Sequence, residues 1–115
     1  MLPLCVDEGV QTIVYGPLAR GRLARPWGAS TPRSENEAAY APAHHATAES
    51  DQKIAEAVSA IAAERVVSRA QVAFAWLRRH PAVGAPIVGA LKTLHIEDAV
   101  SSLSMTLTND EAARL

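Results

Sequence analysis

VQTIVYGPLARG, residues 10–21, decides how this sequence is read. The β-branched and aromatic residues from Val10 to Tyr15 make a run of strand length, and Gly16-Pro17 ends it. A loop rich in glycine and arginine follows. It carries Arg20, Arg22, Arg25 and Arg33 and has no acid before Glu35. Such a loop suits an anion, because glycine lets backbone amides approach it closely. A second strand-like run, GAPIVGA (84–90), reaches Gly89 and gives way to Leu91-Lys92 at the mouth of a helical pattern. Loops that follow parallel strands lie at the carboxyl end of a sheet, where α/β proteins hold ligands. A helix N-terminus adds favourable potential for an anion there.

The segments between and around the strands read as helices. Ile54, Val58, Ile61 and Ala62 fall on one helical face, with Ser50 or Asp51 as the expected N-cap. Ser68 and Gln71 have capping-box spacing, with Val67 and Val72 as the staple. Val72, Ala75 and Trp76 form the apolar stripe of that second helix, and His80-Pro81 stops it. A third helix is expected from about Thr93 to Leu103, with Ile96, Val100 and Leu103 on its apolar side. Thr108 and Glu111 make another capping box, with Leu107 and Ala112 as staple, and open a last helix. Residues 1–9 read as the end of a helix or a turn closing at Gly9, and residues 16–49 as irregular. Strands separated by helices imply βαβ connectivity, hence parallel pairing and a right-handed crossover.

The bulk composition excludes several function classes. At 115 residues the chain is one small domain, with 49% apolar residues and a formal net charge of −1. A nucleic-acid or acidic-membrane binder would be clearly basic. The helix SRAQVAFAWLRRH (68–80) lacks the supporting basic face of a DNA reader, and its arginines are expected in solvent. No apolar run approaches the ~18–20 residues of a membrane span, and Met1 to Glu8 lack the basic start of a signal peptide. Cys5 is the only cysteine, so no internal disulfide is expected and a reducing cytoplasm is the simple location. His44, His45, His80 and His95 have no acidic or cysteine partners at ligand spacing, so no metal is expected. GALK (89–92) is not a P-loop, and no G-x-G-x-x-G occurs.

Two strands do not make a stable sheet, and their open edges invite pairing. The expectation is therefore the end of a larger α/β protein, as a gene model starting at an internal methionine would produce. The alternatives are a self-contained α+β domain, or a chain whose strand edges are covered by a partner chain. In closed eightfold α/β barrels the common phosphate site follows the last two strands, which agrees with two anion-friendly loops in that order.

Four blocks resemble the aldo-keto reductase family. YGPLARGRLARPWG (15–28) resembles its aromatic-S-P-L-A-R-G segment, and SRAQVAFAWLRRHPAV (68–83) its S-x-A-Q-V-A-L-A-W-L helix. APIVGALKTLHIEDAV (85–100) resembles its P-I-V-G-A-T-K block, and LTNDEAARL (107–115) its L-T-x-E-E ending. Order and spacing agree over essentially the whole chain.

The resemblance implies the C-terminal third of a TIM-type (β/α)8 barrel, with strands seven and eight, over residues 1–115. It implies NADPH as cofactor and a small carbonyl substrate in the full-length protein. Tyr15 matches the aromatic that stacks on the nicotinamide. Gly16, Pro17, Leu18 and Ala19 match the pyrophosphate turn, with glycine where the family usually has serine. Arg33 stands where relatives direct an arginine to the adenosine 2′-phosphate. Gly89, Leu91 and Lys92 match the loop and base near that phosphate. His95 occupies a position that is often Arg or Gln, and Asp98 matches an acid that takes the adenine amino group. Ala99 replaces an asparagine, so one adenine contact is missing. The family's Asp, Tyr, Lys and His tetrad belongs to segments not in this sequence, so no catalytic residue is assigned and no reductase activity is expected of the chain alone. Tyr40 is given no role, Arg20, Arg22 and Arg25 are read as solvated loop charges, and Trp27 and Trp76 as packing residues. The rival reading is a non-catalytic interaction or regulatory protein derived from the same fold, and a decayed gene product is a third.

Overall fold

The computed structural model describes residues 1–29 and 48–115. Helix α1 (Leu2–Asp7) runs through a turn at Gly9 into strand β1 (Thr12–Val14). A short 3-10 turn follows at Ala19–Gly21. Helices α2 (Ala48–Arg65) and α3 (Arg69–Arg78) lead to strand β2 (Val83–Pro86). Helix α4 (Thr93–Ser101), a 3-10 turn (Ser102–Ser104) and α5 (Asn109–Ala113) complete the order. Arg33, Tyr40, His44 and His45 lie outside the described residues.

β1 and β2 pair in parallel, as βαβ connectivity requires. Thr12 faces Val83, Ile13 faces Ala85 and Val14 faces Pro86, with an irregularity between Thr12 and Ile13. The extra residue there is Gly84, where a Cβ would press on the Gln11 side chain at 2.9 Å. Glycine in a strand often marks a bulge of this kind. Both strands are shorter than the sequence runs suggest. Pairing ends at Val14, and Tyr15 has already left the ladder. Pro86 is the last residue of β2, and Ile87 just beyond it donates to the Val14 carbonyl at 2.8 Å.

The main core cluster lies between α2 and α3. Val58, Ile61 and Ala62 of α2 meet Val72 and Ala75 of α3, and Leu107 closes the cluster. Leu23, Val67, Met105 and Leu115 pack around it. Ser68 caps α3 by accepting from the Gln71 amide at 3.1 Å. The expected return bond is not made, and Gln71 Nε2 donates to Asp98 Oδ1 at 2.9 Å and so ties α3 to α4. At α5 both halves of the Thr108–Glu111 box are present. Glu111 also accepts two bonds from Arg65, each 2.6 Å, which join the ends of α2 and α5.

Three further expectations are corrected. Helix α2 starts at Ala48, so Ser50 and Asp51 stand in its first turn and neither is the N-cap. Trp76 is not a core residue. It is half-exposed and borders an open apolar groove with Leu2, Val14, Leu77 and Val83, while Phe74 is the buried aromatic. The apolar side of α4, with Ile96, Val100 and Leu103, faces solvent. So do Val10, Ile13 and Ile87 at the sheet. Among the described residues, no further strand pairs with the outer edge of β1 or β2.

Candidate functional site

Parallel register places the carboxyl ends of β1 and β2 side by side. The Ile87–Val14 bond marks where the two chains leave the ladder together. From this end issue Tyr15 to Gly21 on one side and Ile87 to Lys92 on the other. The structure thereby brings two of the predicted binding segments to one place.

The first segment is built as a left-handed turn. Gly16 has φ +67°, and the Ala19 amide donates back to its carbonyl at 2.9 Å. Ala19 (φ +47°) and Arg20 (φ +58°) are also left-handed, and Gly21 follows at +87°. Non-glycine residues in this region persist only where surrounding contacts hold them. Those contacts are identifiable. Gly21 donates to the Leu18 carbonyl at 2.8 Å, and Arg25 Nη2 and Nε donate to the carbonyls of Arg20 and Gly21, each at 3.2 Å. A Cβ on Gly21 would collide with the Arg25 guanidinium. Arg22 Nη1 reaches Asp51 Oδ2 in α2 at 2.9 Å, and its guanidinium lies 5.8 Å from the centre of the Trp27 ring. Arg22 and Arg25 therefore hold the loop in shape, where the sequence alone suggested solvated charges.

Tyr15, 84% exposed, presents its ring beside the strand end. Pro17 and Leu18 are half-buried and Ala19 is exposed. Pro17 has no N–H. Among the described residues the amides of Gly16 and Leu18 have no backbone acceptor. In the second segment the same is true of Val88, Gly89 and Ala90. A Cβ at Gly16 or at Gly89 would meet nothing within 4 Å, so both glycines border open space.

Helix α4 begins just beyond. Lys92 is its N-cap residue and supplies no side-chain cap. His95 takes over part of that task, its Nδ1 accepting from the Leu91 amide at 3.3 Å. With Nδ1 taken by that bond, Nε2 is the ring nitrogen left to meet a ligand. Leu91 and Lys92 are exposed. Asp98 sits one helical turn further on, half-buried, with one carboxylate oxygen engaged by Gln71. Among the described residues no group of three His, Cys, Asp or Glu side chains is arranged to hold a metal, and no helix is long and apolar enough to cross a membrane.

Amides from two loops, a lysine at a helix start and an exposed aromatic can together receive a ligand that is both anionic and planar. Comparison with known proteins narrows this. The Aldo/keto reductase family model matches residues 1–115. The chain belongs to the aldo/keto reductase family. Versiconal hemiacetal acetate reductase of Aspergillus parasiticus is 42% identical over 113 residues, covering 96% of this chain and 33% of that protein. Aldo-keto reductase AMT2 of Alternaria alternata is 38% identical over 117 residues, covering all of this chain and 30% of that protein. Aldo-keto reductase dtxS3 of Metarhizium robertsii is 37% identical over 111 residues. The chain thus spans about a third of the length of these relatives. The family architecture is the (β/α)8 barrel, and two parallel strands with their helices are a piece of it. The bare strand edges and the solvent-facing apolar side of α4 have their physical reason here, since a closed barrel covers such surfaces on both sides.

The contacts of Asp51, Trp27 and Gln71 were missed by sequence reasoning, which gave Asp51 only as a candidate N-cap and Trp27 as a packing residue. Asp51 is paired across 29 residues of sequence with Arg22, and no local pattern signals such a pair. Gln71 was recognised only as half of a capping box.

Proposed function

We propose that this chain is the cofactor-binding, C-terminal portion of an NADPH-dependent aldo-keto reductase, carrying barrel strands seven and eight. The observation that carries the reading is the convergence, at the carboxyl end of a parallel strand pair, of two loops whose amides have no backbone acceptor among the described residues. The residues fit the dinucleotide. Gly16, Leu18 and Ala19 offer the turn for the pyrophosphate, and Tyr15 offers a face for the nicotinamide. Gly89, Leu91 and Lys92 line the 2′-phosphate side, with the Nε2 of His95 as a further contact. Arg33 is assigned to the same phosphate. The free oxygen of Asp98 is directed to the adenine amino group. When bound, NADPH supplies the hydride that reduces a carbonyl carbon. This chain binds and orients the cofactor, and a small aldehyde or ketone is the substrate class of the full-length protein. In this reading the chain alone is inactive, because the segments that carry the family's Asp, Tyr, Lys and His tetrad are not in this sequence.

The test is a reductase assay on the purified chain with NADPH and an aromatic aldehyde, alongside a nucleotide titration. Binding without turnover supports the reading. Turnover by the chain alone overturns the inactive assignment. The exposed edges of β1 and β2 and the apolar side of α4 favour one second reading, a non-catalytic chain of the same fold that docks on a protein partner.

A further inference from the structure

We propose that Arg22 is a positioning residue for the nucleotide, acting through an ion-pair latch to Asp51 that fixes the path of the loop after β1. The inference rests on the nucleotide-binding reading above. Among the described residues, no backbone hydrogen bond ties residues 16–19 to the helices. What fixes them is the return of the chain immediately downstream. Leu23 packs on the core cluster of α2, α3 and Leu107. One residue earlier, Arg22 crosses to the first turn of α2 and stacks over Trp27. Arg25 closes the other side by binding the carbonyls of Arg20 and Gly21.

The left-handed residue Ala19 closes the pyrophosphate turn, and Arg20, also left-handed, joins it to this anchor. If the anchor is released, they relax toward ordinary backbone angles and the Gly16 and Leu18 amides lose their aim. The Arg22 and Asp51 side chains are 34% and 31% exposed, so the pair is partly shielded from water without being buried. Exposed pairs contribute modestly. The effect is therefore a loss of order in the loop, with the fold of the helices retained.

Tryptic cleavage reads the loop independently of any nucleotide. Arg20 and Arg22 are cleavable, whereas Arg25 precedes Pro26 and is protected by it. Asp51→Asn removes the latch and leaves every tryptic site unchanged. The expected result is faster cleavage after Arg20 and Arg22, together with NADPH affinity lowered about 2- to 5-fold at unchanged helix content. Asp51→Glu restores both. The charge-swapped pair Arg22→Asp with Asp51→Arg slows cleavage after Arg20 relative to Arg22→Asp alone, which keeps the test open if one single variant folds poorly. Equal cleavage in wild type and Asp51→Asn overturns the latch. Faster cleavage with unchanged affinity overturns the positioning role. Wild-type protein that fails to bind NADPH overturns the nucleotide reading and the role with it, while cleavage still reports on the latch.

Discussion

Replacing Val66 with glycine stabilises this chain, against the usual expectation for a valine-to-glycine change. Val66 follows the last residue of α2 at φ +55°. Its amide donates to the Ala63 carbonyl at 3.2 Å, and the Val67 amide to Ala62 at 3.0 Å. This is the pair of bonds that ends a helix with a left-handed residue, a place normally filled by glycine. The turn cannot relax cheaply, since Val67 packs on the core cluster. A Cβ in this conformation costs ~1–2 kcal/mol. Val66 is 91% exposed, so little apolar burial is lost with its side chain. Glycine's greater freedom in the unfolded chain takes back ~0.5–1 kcal/mol. The net gain is about 0.5–1 kcal/mol, or a few degrees in Tm for a domain of this size. Urea unfolding followed by far-ultraviolet circular dichroism measures it. Val66→Ala keeps the Cβ and falls clearly short of glycine. Destabilisation of Val66→Gly by more than ~0.5 kcal/mol would refute the strain argument, because no cost of that size remains at so exposed a site.

Other outcomes follow from the same geometry. Ile61 is fully buried between α2, α3 and Leu107, so Ile61→Ala lowers unfolding stability by ~2–5 kcal/mol in the same urea assay. Thr108→Ala removes one bond of the α5 capping box and costs ~1 kcal/mol. The two Arg65 bonds hold the Glu111 carboxyl down to about 2, aided by the Thr108 amide. This group's folded value lies below its unfolded one, so its contribution is fully present above the unfolded carboxylate range. It fades as pH falls toward 2. Glu111→Gln therefore flattens the acid limb of the stability-pH curve, read from Tm across that range. Gly16→Ser places a Cβ at φ +67° in open space, and loses ~1 kcal/mol to backbone strain with no steric clash.

The sequence made the local devices legible and left the long-range ones hidden. Ser68 and Thr108 announce their helices because a cap is a bond three residues long. The strands were legible as β-branched runs stopped by Gly-Pro or glycine, and their parallel sense followed from the helices between them. Their true ends were not, because the ladder stops where the partner strand leaves it, at Val14 and Pro86. Trp76, Ile96, Val100 and Leu103 were placed inside by periodicity, which reports that a face is apolar but not whether this chain brings anything to cover it. Gly16 and Gly89 were legible as glycines at strand ends. The latch at Arg22 was not, since its partner lies 29 residues away. Asp98 was read as a ligand acid, and its bond to Gln71 could be seen only once α3 and α4 were packed together.

The central claim is that the loops after β1 and β2 form one dinucleotide site. Backbone amide chemical shifts of the isotope-labelled chain, titrated with NADPH, test it most directly. Saturable shifts are expected at Tyr15, Gly16, Leu18, Gly89, Leu91 and Lys92, from both loops with one common affinity. Shifts confined to one loop, or concentrated on α2 and α5, would contradict it.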